Sequence, residues 1–161
     1  MKFLCDEMLK GLARWLRAAG YDTHVAPDGT RDAELMALAR NEGRYLITCD
    51  HKLLEFRHAD EVVVLVTGSV IEEAATSLCG KVAVDWLHAP FSRCMECNTP
   101  LQGATSGQYN EVPPTVIQRE LDVWACQGCG RLYWEGSHVT RIRARLEARQ
   151  AMQSCTDSGI L

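Results

Sequence analysis

No run of roughly 18 or more apolar residues occurs in the sequence, which excludes a membrane-spanning helix on hydropathy alone. The opening Met1-Lys2-Phe3-Leu4-Cys5 meets Asp6 too early for a signal peptide, so a cytoplasmic location is expected. Positive charge is also lacking: 17 Lys and Arg stand against 21 Asp and Glu, giving a net charge of −4. A protein that grips nucleic acid by its bulk field is thereby excluded, and any such binding must come from local patches. No internal repeat is visible beyond a recurring cysteine pair. What remains is ordinary globular composition, 161 residues with 47% hydrophobic and 24% charged, enough for one modest domain and a small appendage.

Cysteine, by contrast, is plentiful, with eight in the chain. In a reducing compartment metal ligation is a better reading of such a count than disulfides. Spacing selects the ligands. Cys94-x-x-Cys97 and Cys126-x-x-Cys129 can each chelate one face of a tetrahedral ion, and zinc accepts four thiolates at about 2.3 Å in closed structural sites. With every position filled by sulfur, such an ion folds a ribbon and does not catalyse. Cys5, Cys49 and Cys79 fall in apolar segments and read as small core residues, while Cys155 falls near the carboxy terminus.

Hydrophobic periodicity predicts a strand at Lys2–Cys5, a helix at Met8–Ala19 ended by Gly20, and a second helix from Arg31 to Glu42, capped by Thr30 and closed by Gly43. A strand at Tyr45–Thr48, a short helix near Lys52–Phe56, an unbroken apolar strand at Val62–Val66 and a helix at Val70–Leu78 follow, with a further strand near Thr23–Val25. This alternation favours a parallel α/β sheet. The pattern changes at Ala89-Pro90, dividing the chain into residues 1–88, a cysteine-bearing region 89–150 that ends in a basic helix over Val139–Arg149, and a flexible tail 151–161.

Asp6 and Asp50 each follow a predicted strand, and Asp32 opens a predicted helix. In open parallel sheets these are the positions that converge on one crevice. Like charges about 4 Å apart repel by about 4 kcal/mol at an effective dielectric of 20, so a divalent cation is the natural occupant of such a cluster. Magnesium or manganese suits an all-oxygen shell. An aspartate at a helix amino terminus is also an ordinary cap, and residues alone leave both readings open. Glu7, Asp22, Asp28, Glu34, Glu55 and Asp60 read as solvated or capping acids.

The segment Phe3-Leu4-Cys5-Asp6-Glu7-Met8-Leu9-Lys10-Gly11-Leu12-Ala13-Arg14-Trp15-Leu16-Arg17, followed by Gly20-Tyr21-Asp22, resembles the start of the Mut7-C family of PIN-like domains. Asp32-Ala33-Glu34-Leu35 is similar to its second acidic element and Leu46-Ile47-Thr48-Cys49-Asp50 to its third. The two cysteine pairs, the first preceded by Phe91-Ser92-Arg93 and the second followed by Gly130-Arg131-x-Tyr133-Trp134-x-Gly136-Ser137-His138, resemble its zinc ribbon. The resemblance implies a PIN-like Rossmannoid parallel sheet flanked by helices, with a carboxy-terminal zinc ribbon of four cysteines, and metal-dependent (endo)ribonuclease chemistry. It implies Asp6, Asp32 and Asp50 as magnesium or manganese ligands, with Thr48 as a polar helper. Related domains often carry another acid just after the third, where His51 and Lys52 stand here, so a fourth acid is unassigned.

RNA is the expected partner, with any protein partner unknown and no membrane expected. Lys10, Arg14 and Arg17 recur at helical spacing opposite the apolar face of the first helix, and Arg141, Arg143, Arg145 and Arg149 crowd the last one; both are candidate phosphate contacts or plain solvated faces. Trp124, Tyr133 and Trp134 either stack on unpaired bases or form the ribbon's core. Two competing readings stand beside the nuclease: a non-catalytic RNA or ribonucleoprotein binding module, and a toxin-like PIN protein with an antitoxin.

Overall fold

The computed structural model describes residues 1–157, with side chains to residue 153. The chain forms two compact units, one of Met1–Arg17 with Tyr21–Asp85, the other of Ala18–Gly20 with the chain from Trp86 onward. Among the described residues no helix is long and apolar enough to cross a membrane.

The first unit is built on β1 (Lys2–Cys5), α1 (Lys10–Ala18), β2 (Asp22–Val25), α2 (Asp32–Glu42), β3 (Tyr45–Thr48), β4 (Val63–Leu65) and α3 (Ile71–Cys79). The strands form one sheet in the order β2-β1-β3-β4, and every pair is parallel. Phe3, Leu4 and Cys5 in β1 and Leu46 and Ile47 in β3 are all 0% exposed, because helices cover both faces of these central strands. Leu35, Met36 and Ala39 of α2 pack with Leu4, Leu46 and Leu53 in one layer of this core.

Several local expectations need correction. The first helix begins with a 3-10 turn at Glu7–Leu9, because the Asp6 side chain caps the Glu7 amide at 2.7 Å. Thr30 does not cap α2; its hydroxyl donates to the Pro27 carbonyl at 2.6 Å, and Arg31 takes the cap position without a side-chain bond. Gly43 closes α2 in the left-handed region at φ 60°, which glycine adopts without a Cβ clash. Arg44, which the sequence pattern did not single out, is 6% exposed, and its Nη1 and Nη2 grip Asp22 Oδ1 and Oδ2 at 2.9 and 3.3 Å.

In the second unit β5 (Leu101–Gly103), β6 (Val123–Cys126) and β7 (Leu132–Trp134) form an antiparallel sheet in that order. Two short helices, α4 (Ser106–Tyr109) and α5 (Pro114–Gln118), occupy the loop between β5 and β6. Val112, Val116 and Val123 make a small apolar core there. The last helix, α6 (Ser137–Asp157), starts two residues before the predicted Val139 and runs well past Arg149. Residues 151–157 of the expected tail are therefore helical, and its last four residues lie outside the described residues.

Candidate functional site

The chain leaves β1 toward β2 on one side and leaves β3 toward β4 on the other, so the carboxyl ends of these two neighbouring strands form the switch point where parallel sheets open a crevice. Asp6 and Thr48 sit there. Asp6 is fixed by its own amide, which donates to Ile47 O at 3.0 Å, and by its Oδ2, which accepts from the Thr48 hydroxyl at 2.9 Å. The same Thr48 Oγ1 accepts from the Asp50 amide at 3.0 Å, and Asp50 Oδ1 accepts from the Lys52 amide at 2.9 Å. One fully buried hydroxyl thus ties the first and third acids into a single element.

Asp6, Asp32 and Asp50 line one cleft of about 200 Å³, together with Glu7, Met8, Pro27, Gly29, Thr30 and Leu35. Among the residues lining it there is no lysine or arginine, and an all-oxygen donor set of this kind fits a hard divalent cation. The three are brought to one place but not packed as closely as expected: among the described residues, the four ribbon cysteines are the one group of three or more potential ligands whose donor atoms all lie within 4.8 Å. His51 and Lys52 do not line the cleft, whereas Glu7, read from sequence as solvated or capping, does. Its Oε2 accepts from the Gly29 amide at 2.8 Å across the cleft wall. Adjacency to Asp6 was the available signal, and the 3-10 turn gave that adjacency its meaning.

Cys94, Cys97, Cys126 and Cys129 converge as spacing predicted. Their sulfurs stand 3.6 Å apart for Cys94 with Cys129 and 3.3 Å for Cys97 with Cys126. A tetrahedron with 2.3 Å zinc–sulfur bonds has edges of about 3.8 Å, so the cage is close to the required size. Both knuckles are built alike: Asn98 N donates to Cys94 O and Gly130 N to Cys126 O, each at 2.9 Å, with Asn98 and Gly130 at φ 70° and 74°. Gly128 is needed for a different reason, since a Cβ there would stand 2.4 Å from Thr99 Oγ1. Burial raises the Cys97 thiol, but hydrogen bonds from Thr99 and the neighbouring thiols outweigh it and hold it at about 6. The Arg131 amide favours the Cys129 thiolate, yet burial and sharing with the other three sulfurs push it up to about 12. Thiols crowded in one site titrate apart in this way, and a divalent cation removes the conflict. The Tyr133 hydroxyl lies 3.1 Å from Cys94 Sγ, and burial raises its pKa.

Cys5 is fully buried, which pushes its thiol up to about 12, and burial also raises the half-buried Cys49, as expected of thiols that pack in apolar surroundings. The Cys155 side chain lies outside the described residues. Of the candidate phosphate contacts on α1, Lys10 pairs with Asp28 at 2.6 Å and is exposed, as is Arg14. Arg17 is a correction: it is 7% exposed and its Nε donates to Thr23 O at 2.8 Å, so it braces the core and does not face solvent. Arg141 and Arg145 are exposed on α6, and Arg143 is half-buried with its guanidinium 5.1 Å from the Phe91 ring centre.

A family model described as the Mut7-C RNAse domain matches residues 1–146. Among curated proteins, the exonuclease mut-7 homolog of Homo sapiens is 33% identical over 101 residues, covering 60% of this chain but only 12% of that protein's length. No solved structure matches the chain.

Proposed function

The chain belongs to the Mut7-C RNase domain family, and from that premise we propose that it is a metal-dependent ribonuclease hydrolysing RNA phosphodiester bonds at the cleft of Asp6, Asp32 and Asp50. The observation that carries the reading is the Thr48 hydroxyl, which donates to Asp6 Oδ2 and accepts from the Asp50 amide at the switch point of the sheet. The bond orients the Asp6 carboxylate and, through the main-chain amide, places Asp50 beside it, while both aspartates also cap the turns that follow them. Asp6, Asp32 and Asp50 would hold magnesium or manganese, which would supply Lewis acidity for activating water and for offsetting charge on the attacked phosphate. The chain's own part is positional. Thr48 fixes the Asp6 carboxylate, the 3-10 turns at Glu7–Leu9 and His51–Glu55 hold Asp6 and Asp50 by backbone amides, and each occupied carboxylate oxygen keeps further acceptor capacity. Zinc in the four-cysteine cage serves the fold of the ribbon, whose role is to aid the binding of RNA or a partner.

The test is cleavage of labelled single-stranded RNA in manganese by the parent and by Asp6→Asn and Asp50→Asn. Each variant is expected to lose about a hundredfold or more in rate. Equal trace cleavage by all three defeats the proposal. The expected cut is internal, and a circularised RNA checks it: survival of the circle while the linear form is degraded assigns an exonuclease instead.

A non-catalytic RNA-binding module is the second reading, favoured by the looser grouping of the acids compared with the cysteines. Binding without cleavage in either magnesium or manganese selects it. The toxin-like reading has no observation in its favour.

A further inference from the structure

We propose that the second unit carries a pocket for one unpaired RNA base, with guanine preferred, in the cleft lined by Phe91, Trp124, Tyr133, Trp134, Glu135 and Arg143. The proposal rests on the ribonuclease reading above and names how that enzyme holds its strand.

The cavity measures about 320 Å³, at the lower end of the range for small-ligand sites. Its wall is largely aromatic. Trp134 packs against the cluster of Val112, Val116 and Val123, to which neither Trp124 nor Phe91 belongs. Trp124 is 38% exposed and stands directly opposite Tyr133 across the β6–β7 pair, so two rings on adjacent antiparallel strands share one face. Paired rings on an open sheet face are a platform on which unpaired bases stack. Tyr133 is held by its hydroxyl against Cys94 Sγ, which ties the platform to the thiolate cage.

The polar groups fit one base better than the others. Phe91 adopts a left-handed backbone at φ 59°, a strained conformation for a side chain of its size, and lies under the Arg143 guanidinium. Arg143 Nε stands 3.6 Å from Glu135 Oε1, and the two side chains are 39% and 58% exposed, so a guanidinium and a carboxylate border the same cleft. Together they offer a ligand both hydrogen-bond donors and acceptors. Guanine presents acceptors at O6 and N7, which suit a guanidinium, and donors at N1 and N2, which suit a carboxylate; adenine places an amino donor where guanine has O6. Arg141 and Arg145, exposed on α6, supply positive charge for the flanking phosphates.

The test uses the full chain loaded with zinc and carrying Asp6→Asn to stop cleavage during titration. Tryptophan quenching and equilibrium binding are measured with an octa-uridylate containing one central guanosine and with the same strand containing adenosine. The guanosine strand is expected to bind about tenfold tighter than the other, and Trp124→Ala to weaken it about tenfold. Trp124→Phe should keep most of the affinity, while Glu135→Gln should reduce the preference for guanosine. Zinc content, measured for each variant, separates a lost fold from a lost contact. Unchanged binding by Trp124→Ala with full zinc, or equal binding of the adenosine strand, overturns the proposal. Cleavage by the parent protein is read separately: intact cleavage with Trp124-independent binding sinks the pocket alone, and Trp124-dependent guanosine binding without cleavage sinks the nuclease alone.

Discussion

Replacing Thr48 by valine tests the coupling of the two acids with little change of shape. The side chain is fully buried, and valine is nearly isosteric, so packing is preserved while two hydrogen bonds disappear. The bond to Asp6 Oδ2 at 2.9 Å has a charged acceptor and contributes about 1.5–3 kcal/mol, and the Asp50 amide loses its acceptor at 3.0 Å, a further ~1 kcal/mol. The expected destabilisation is about 3 kcal/mol. For a urea slope of about 1.5 kcal/mol/M this moves the unfolding midpoint of the α/β unit down by about 2 M. Thr48→Ser keeps donor and acceptor and gives up only a buried methyl, about 1 kcal/mol. Far-UV circular dichroism follows the unfolding, amide exchange at Asp50 reports the local bond, and manganese-dependent RNA cleavage reports the site. Valine should expose the Asp50 amide to exchange and slow cleavage about tenfold or more, whereas serine should do neither. A valine variant as stable and as active as the parent, or a serine variant as impaired as valine, refutes the claim that this hydroxyl organises the acids.

The zinc cage should bind one ion per chain and release protons as it does, so its affinity weakens as pH falls; Gly128→Ala, which drives a Cβ into Thr99 Oγ1, should speed zinc loss to a chromogenic chelator far more than Gly130→Ala, which meets no atom and adds only about 1–2 kcal/mol of backbone strain. Arg44→Met removes the partner of a half-buried carboxylate and should cost about 3–5 kcal/mol by urea denaturation, with part of the loss recovered in the double variant with Asp22→Asn. Arg17→Met should lower thermal stability through the lost bond to Thr23 O while leaving RNA affinity within about twofold, in contrast to Arg14→Ala if α1 contacts phosphate.

Much of this molecule is written locally. Four-residue strands, helix stops at Gly20 and Gly43, and the paired cysteines were legible because each depends on neighbours within a few positions: side-chain periodicity, freedom at positive φ, and the reach of a two-residue chelate loop. The acids were legible as candidates for the same reason, as each stands at the end of a strand or the start of a helix. What the order of residues does not carry is which elements lie side by side. Placing β1 between β2 and β3 decided that Asp6 and Thr48, 42 positions apart, share a hydrogen bond, that Arg17 turns inward to Thr23, and that Glu7 faces the cleft. Such contacts are long-range in sequence and short-range in space, and only the burial of apolar faces against one another sets their distances. Local chemistry therefore determined what each residue was able to do, and the packing of the sheet decided which of those abilities meet.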